Sequence, residues 1–222
     1  MLFALLGSGV LLILLLSPQI LIGVGLQLMG VQRIGTTGDV FDNADSPIVQ
    51  YSLQNSRPVD RFTVTIPGYG QETFNQADFN IAAGEVATGV VTAAVTITEA
   101  DFERLCHNQP QRCNREAFDD LEVDFRPGGV IIYADVQAAL GQKIGIAVTI
   151  VDAGRTIEVA GVDIGGALYD VNSLPDDLKR IVQEARQIVD QSIDTMTVTI
   201  GGQALRLYDI NSDHEQIRLV FQ

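Results

Sequence analysis

Cys106 and Cys113 bracket His107, the one place in the chain where two thiols and an imidazole lie close together. As metal ligands the three would lack a fourth partner at usable spacing, and adjacent Cys and His side chains rarely face one ion. In an exported chain, two neighbouring cysteines form a disulfide. Closing so short a loop stabilises a fold by about 2–3 kcal/mol. The expectation is a Cys106–Cys113 disulfide and no metal.

The other acid-rich spacings fail on geometry. Asp209, Asn211, Asp213 and Glu215 alternate as a calcium loop begins, but the sixth position is His214 rather than Gly and the twelfth is Val220 rather than Glu. Asp39, Asp42 and Asp45 recur every third residue, which is the wrong interval for alternate-residue ligation. Asp119 and Asp120 read as solvated acids at a strand start, and His107 and His214 as loop residues. The chain contains no G-x-S-x-G, no H-E-x-x-H and no phosphate-binding glycine loop with its Lys. These residues point to a protein that is not an enzyme and holds no cofactor.

Charge narrows the partners. The 222 residues carry 28 acids against 14 bases, a net charge of −14. That field repels a phosphate backbone, so nucleic acid is excluded as a partner. It also argues against adhesion to anionic lipid by charge alone.

The elements that position these residues begin with an uncharged stretch. Residues 1–32 hold no Asp, Glu, Lys or Arg, and the first charge is Arg33. Residues 2–31 exceed the ~20 apolar residues a bilayer core requires, with Pro18 as a kink. A secretory signal is the competing reading, with cleavage near Gly23 and Gly25, but no basic start and no A-x-A site accompany it. The expectation is an N-terminal transmembrane anchor through residues 2–31 with the rest on the extracytoplasmic side, secreted if the segment is cleaved. Residues 33–60 are rich in Gly, Asp, Asn, Ser and Pro and read as a linker. Residues 61–222 read as the folded domain.

Within that domain, residues 61–66 and 80–97 alternate as strands, the latter with Gly84 and Gly89 as turn or bulge points. Thr98 and Asp101 form a capping box for a short helix. Residues 115–121 suggest another helical turn. A meander follows. Leu121, Val123 and Phe125 share a face, then Val130, Ile132, Ala134 and Val136, then Ile144, Ile146, Val148 and Ile150. Ser173, Pro175 and the acids Asp176 and Asp177 mark a helix start, with Ser173 as the cap. From there to about residue 194, Leu178, Ile181, Val182, Ala185, Ile188 and Val189 recur at helical spacing, opposite a charged face. Three strands, 196–200, 204–210 and 216–221, close the chain.

From Thr98 onward the order of segments resembles the single-domain bacterial members of the TULIP (tubular lipid-binding) superfamily, the LmeA- and YceB-type envelope proteins. The carrying segments are ITEADFERLC, LEVDFRPGGVIIYADV, IGIAVTIVDAGRTIEVAGVDIGG, SLPDDLKRIVQEARQIVDQSID and MTVTIGGQALRLYDI. The resemblance implies an α+β fold, a curved antiparallel β-sheet wrapped around a long amphipathic C-terminal helix, with an apolar channel that holds a lipid. It transfers no residue with a named role. From the residues themselves, the channel candidates are Leu178, Ile181, Val182, Ala185, Ile188 and Val189 on the helix, and Val130, Ile132, Ile146 and Val148 on the strands. One helix covers only part of a wide sheet, so side chains or an apolar ligand must fill the remainder.

Overall fold

The computed structural model describes residues 30–42, 53–66, 70–85, 90–113, 118–136, 142–176, 178–180, 182–183, 187 and 195–222. The expected anchor therefore lies outside the described residues, apart from its last two positions. Among the described residues no helix is long and apolar enough to cross a membrane.

Among the described residues antiparallel β-structure dominates, in two sheets. The first contains six strands in the order β1-β11-β10-β9-β8-β7. These are β1 (Arg33–Thr36), β7 (Phe118–Arg126), β8 (Gly129–Val136), β9 (Gln142–Val151), β10 (Thr156–Ile164) and β11 (Ala167–Tyr169). The second runs β2-β5-β6-β14-β13-β12-β3-β4. Its members are β2 (Gln54–Pro58), β3 (Arg61–Ile66), β4 (Gly70–Asn75), β5 (Asn80–Glu85), β6 (Val91–Thr98), β12 (Thr197–Ile200), β13 (Gln203–Ser212) and β14 (Gln216–Phe221).

The eight-stranded sheet has to curl. β2 and β3 stand six places apart in it, about 29 Å on a flat sheet at ~4.8 Å per strand. Only Val59 and Asp60 separate them in sequence, a connection that reaches at most about 11 Å. The strands bend round until the ends approach, and the two connecting residues extend the ladders on either side, Val59 that of β2 with β5 and Asp60 that of β3 with β4. The Val59 N–H donates to the Ile81 carbonyl and the Gln76 N–H to the Asp60 carbonyl, both at 3.2 Å. Phe62, Phe79, Ile81, Val95, Val198, Leu205 and Phe221 bury themselves together in the core of this sheet. Phe74 stacks on Phe62 with ring centroids 5.6 Å apart.

Three expectations are corrected. The strands 121–164 and the C-terminal strands do not share one curved sheet. β14 pairs with β6, Gln216 opposite Thr98 through Phe221 opposite Ala93, so the C-terminal hairpin joins the N-terminal strands. Residues 33–60 are more than a linker, since they supply β1, a short helix α1 (Thr37–Asp42) and β2. β1 pairs with β11 and β2 with β5, satisfying backbone groups that composition alone leaves open. The suggested helical turn over 115–121 gives way to β7, which starts at Phe118.

The expected cap is present at helix α2 (Glu99–Asn108). Thr98 Oγ1 accepts the Asp101 N–H at 3.1 Å, and Asp101 returns the bond to the Thr98 N–H at 3.0 Å. After Gln109, the short helix α3 (Pro110–Cys113) leads to the disulfide, which joins Cys106 and Cys113 with Cα atoms 5.4 Å apart. The sheets meet where the turn after β9 packs on β13. Gly154 sits there at φ +89°, and a Cβ on it would fall 1.9 Å from Asp209 Oδ1 and 2.6 Å from the Ile210 carbonyl. Ser212 Oγ also donates to the Arg126 carbonyl at 2.7 Å, tying β13 to the β7–β8 turn.

Candidate functional site

The six-stranded sheet carries both candidate sites, one on each face. The pairing of β8 with β9 sets Val130 opposite Val148, Ile132 opposite Ile146 and Ala134 opposite Ile144. Side chains alternate along a strand, so these six share one face. The chain then passes through a 3-10 turn (Val171–Ser173) into a helical segment that includes Asp176, Leu178, Val182 and Gln187. Its first bond runs from the Lys179 N–H to the Pro175 carbonyl at 2.9 Å. Val182, 3 % exposed, is buried in a cluster with Ile144, Val162, Ile164, Tyr169 and Leu174, and Leu178 and Ile146 pack against that cluster. Of the predicted channel residues, Leu178, Val182, Val130, Ile132, Ile146 and Val148 are thus brought to one side of the sheet. Ile181, Ala185, Ile188 and Val189 lie outside the described residues.

Ser173 does not act as the predicted cap. Its hydroxyl donates to the Asp170 carbonyl at 2.8 Å and accepts the Gln32 N–H at 2.8 Å. The incoming chain at Gln32 occupies the oxygen, and the first helical carbonyl is that of Pro175, two residues on.

A β-bulge decides what the other face holds. The β9–β10 register shifts between Val159 and Gly161, so Val159 opposes Val148 and Val162 opposes Ile146. The extra residue puts Val162 and Ile164 on the helix face and turns Asp163 to the opposite one. There Asp163, 3 % exposed, accepts the Thr37 hydroxyl, and its other oxygen accepts the Gly166 N–H at 3.3 Å. The Thr37 N–H in turn donates to the Gly166 carbonyl at 3.2 Å.

α1 is held over this face by Thr36 and Asp39, which bond reciprocally. The Thr36 N–H donates to Asp39 Oδ2 at 3.2 Å and the Asp39 N–H to Thr36 Oγ1 at 3.4 Å. The Thr36 hydroxyl and N–H bonds hold the Asp39 carboxyl below the ordinary range. Phe41 packs with Ile131, Ala147 and Leu168, so close to Gly129 that a Cβ there would lie 2.5 Å from its ring.

Beside α1 opens a cleft of about 470 Å³, whose polar lining includes Thr37, Asp42, Arg126, Tyr133, Asp163 and His214. Burial pushes the Tyr133 phenol up to about 12, and the charges of Asp163 and Asp124 add to this. The phenol is therefore a hydrogen-bond donor at neutral pH. Arg126 reaches Asp124 at 2.6 Å, and that bond raises the guanidinium pKa further. Thr37 is thus paired with Asp163 and Arg126 with Asp124, and the cleft lining offers both hydrogen-bond donors and acceptors. Sequence reading missed it because Asp163 changes faces only through the bulge and His214 arrives on a distant turn. The Thr36-x-x-Asp39 spacing was the one local signal for α1.

A second cleft, about 680 Å³, lies beside the disulfide between α2 and β7, lined by Glu103, Arg104, Cys106, His107, Asp120 and Glu122 among others. Lys143 bridges its rim, 3.5 Å from Asp120 and 2.5 Å from Glu122. Among the described residues, no group of three or more His, Cys, Asp or Glu side chains is arranged to hold a metal ion. The alternating acids near residue 213 close the β13–β14 turn, where Asp213 Oδ1 accepts the Glu215 and Gln216 N–H groups at 2.8 and 3.0 Å. No family model, curated protein or solved structure matches the chain.

Proposed function

We propose that this chain is a membrane-tethered, extracytoplasmic lipid-binding or lipid-transfer domain of the cell envelope. It holds an acyl chain or similar apolar body between the six-stranded sheet and the C-terminal helix, and it has no catalytic role. The supporting observation is the helix face of that sheet. Val130, Ile132 and Ile146 are adjacent, wholly apolar and only half-buried, although they adjoin the fully buried Val148. Six strands span about 24 Å and a helix only ~10 Å, so a single helix laid on this face would leave apolar sheet uncovered beside it. An acyl chain is the ligand that this surface fits, because nothing charged lies among Val130, Ile132, Ile146, Val148, Leu178 and Val182.

The runner-up is a non-catalytic structural or interaction domain with a filled core. It draws on the eight-stranded sheet, whose buried face is packed with Phe62, Phe79 and Phe221, and on the two clefts, both of which have polar linings away from the helix face. Titration with a fluorescent acyl lipid separates the readings. Ile146→Lys should abolish binding because it sets an ammonium on the apolar face, whereas Tyr133→Phe, on the opposite face, should bind as the parent does. Equal binding by all three chains, or none by the parent, would defeat the lipid reading.

A further inference from the structure

The uncharged N-terminal stretch runs straight into a corner of the fold that fixes it at once. Val31, 4 % exposed, is buried with Leu174, Val182, Val162 and Ile144. One residue on, the Gln32 carbonyl accepts the Asp170 N–H at 2.9 Å, and its N–H donates to Ser173 Oγ at 2.8 Å. Arg33 then pairs with Tyr169 as β1 begins. No slack separates the sheet from Val31, where the apolar stretch ends. The same corner is where the helical segment starts, since Ser173 and Leu174 belong to both attachments. Next to it stands Ile34, 47 % exposed, among the few large apolar side chains the described surface leaves in water.

We infer that this corner, built from residues 30–34 and the turn 171–174, is a membrane-contact surface that seats against the bilayer and turns the start of the helical segment toward it. The inference rests on the proposal that residues 2–31 form the tether, and it adds an orientation to that proposal. Only Gly30 separates Met29 from Val31, two steps or about 7 Å of extended chain, so a bilayer holding the preceding apolar residues cannot lie far from the corner. Arg33, the first charge, then falls at headgroup depth, where a long basic side chain at the end of an apolar span extends to the polar interface, and Ile34 meets that interface with its apolar side chain. The net charge of −14 makes attraction to anionic lipid an unsuitable force for this contact, so the tether and apolar burial carry it. The docked geometry would place the uncovered strip of the six-stranded sheet within reach of acyl chains leaving the membrane.

The test uses the full chain in phosphatidylcholine vesicles. Among the described residues no cysteine is free, and both cysteines of the chain are in the disulfide, so one introduced cysteine takes a fluorophore selectively without reductant. Ile34→Cys is compared with Gln71→Cys on β4, an edge strand of the other sheet. Lipids spin-labelled at the headgroup should quench the label at 34 several-fold more than that at 71, and adding anionic lipid should not strengthen the effect. The chain lacks tryptophan, so Ile34→Trp gives an independent readout, a blue-shifted emission on vesicles. Equal quenching at both positions in protein that stays with the vesicles through an alkaline wash overturns the docking and leaves the tether standing. Release by the wash overturns the tether and the docking with it.

Discussion

Replacing Thr37 by Val probes the joint between α1 and the six-stranded sheet. The substitution keeps the branched shape and removes one hydroxyl. That hydroxyl donates to Asp163, a side chain 3 % exposed whose remaining described bond is from the Gly166 N–H. A hydrogen bond to a charged acceptor contributes about 1.5–3 kcal/mol net, and the larger figure applies when the abandoned acceptor is buried. For a fold of this size each kcal/mol moves the melting point by about 2–4 °C, so Thr37→Val should lower it by roughly 3–12 °C. Circular dichroism melts of the full chain in mild detergent measure this, with Thr37→Ser as the control that restores the donor. Amide exchange should quicken first in α1, because Thr37 is tied to the β10–β11 turn by its N–H as well as its hydroxyl. A Thr37→Val melt within about 0.5 kcal/mol of the parent, the range of an unremarkable surface change, would refute the buried-carboxylate argument.

Three further predictions follow from the same contacts. Replacing Cys106 and Cys113 together by Ser reopens an eight-residue loop and should cost about 2.5 kcal/mol by loop-closure entropy, read as a lower urea midpoint with an unchanged parent under non-reducing conditions. Tyr133 ionises at about 12 in the fold against 10 for a free phenol, so the folded state holds its proton longer and stability from this group is lost as pH rises from about 10 through 12. Tyr133→Phe should abolish that part of the alkaline loss and remove a step near pH 12 from the phenolate absorbance curve; an unchanged curve contradicts the burial argument. Gly154→Ala should destabilise by more than the ~1 kcal/mol that a left-handed φ alone costs, because its Cβ would strike Asp209 and the Ile210 carbonyl where the sheets meet. A melt lowered by no more than the backbone effect would mean that the turn moves freely away from β13.

What could be read from the residues was local. The Thr98 capping box, the disulfide, the β7–β8 and β9–β10 hairpins and the common face of Ile144, Ile146 and Val148 depend on neighbours within a few positions. The division into two sheets depends on the pairing of β14 with β6, more than 100 residues away, which no periodicity encodes. Residues 33–42 misled because Gly35, Gly38, Asp39 and Asp42 have the composition of a linker, while Phe41 and Thr37 find their burial only against strands 90 or more residues on. Asp163 lay on an alternating strand, and one bulge residue reversed its side. The helix face fared better at its start: Leu178 and Val182 recur at i, i+4 and pack where that spacing places them, whereas Ser173, assigned as the cap, serves Gln32 instead.

Native mass spectrometry of the full chain, purified in gentle detergent, measures most directly whether the apolar face of the six-stranded sheet beside Ile146 holds a lipid. The account predicts adducts of acyl-lipid mass that survive activation sufficient to strip detergent, and that disappear in Ile146→Lys at unchanged secondary structure. A spectrum of bare protein from the parent chain under the same conditions would contradict it.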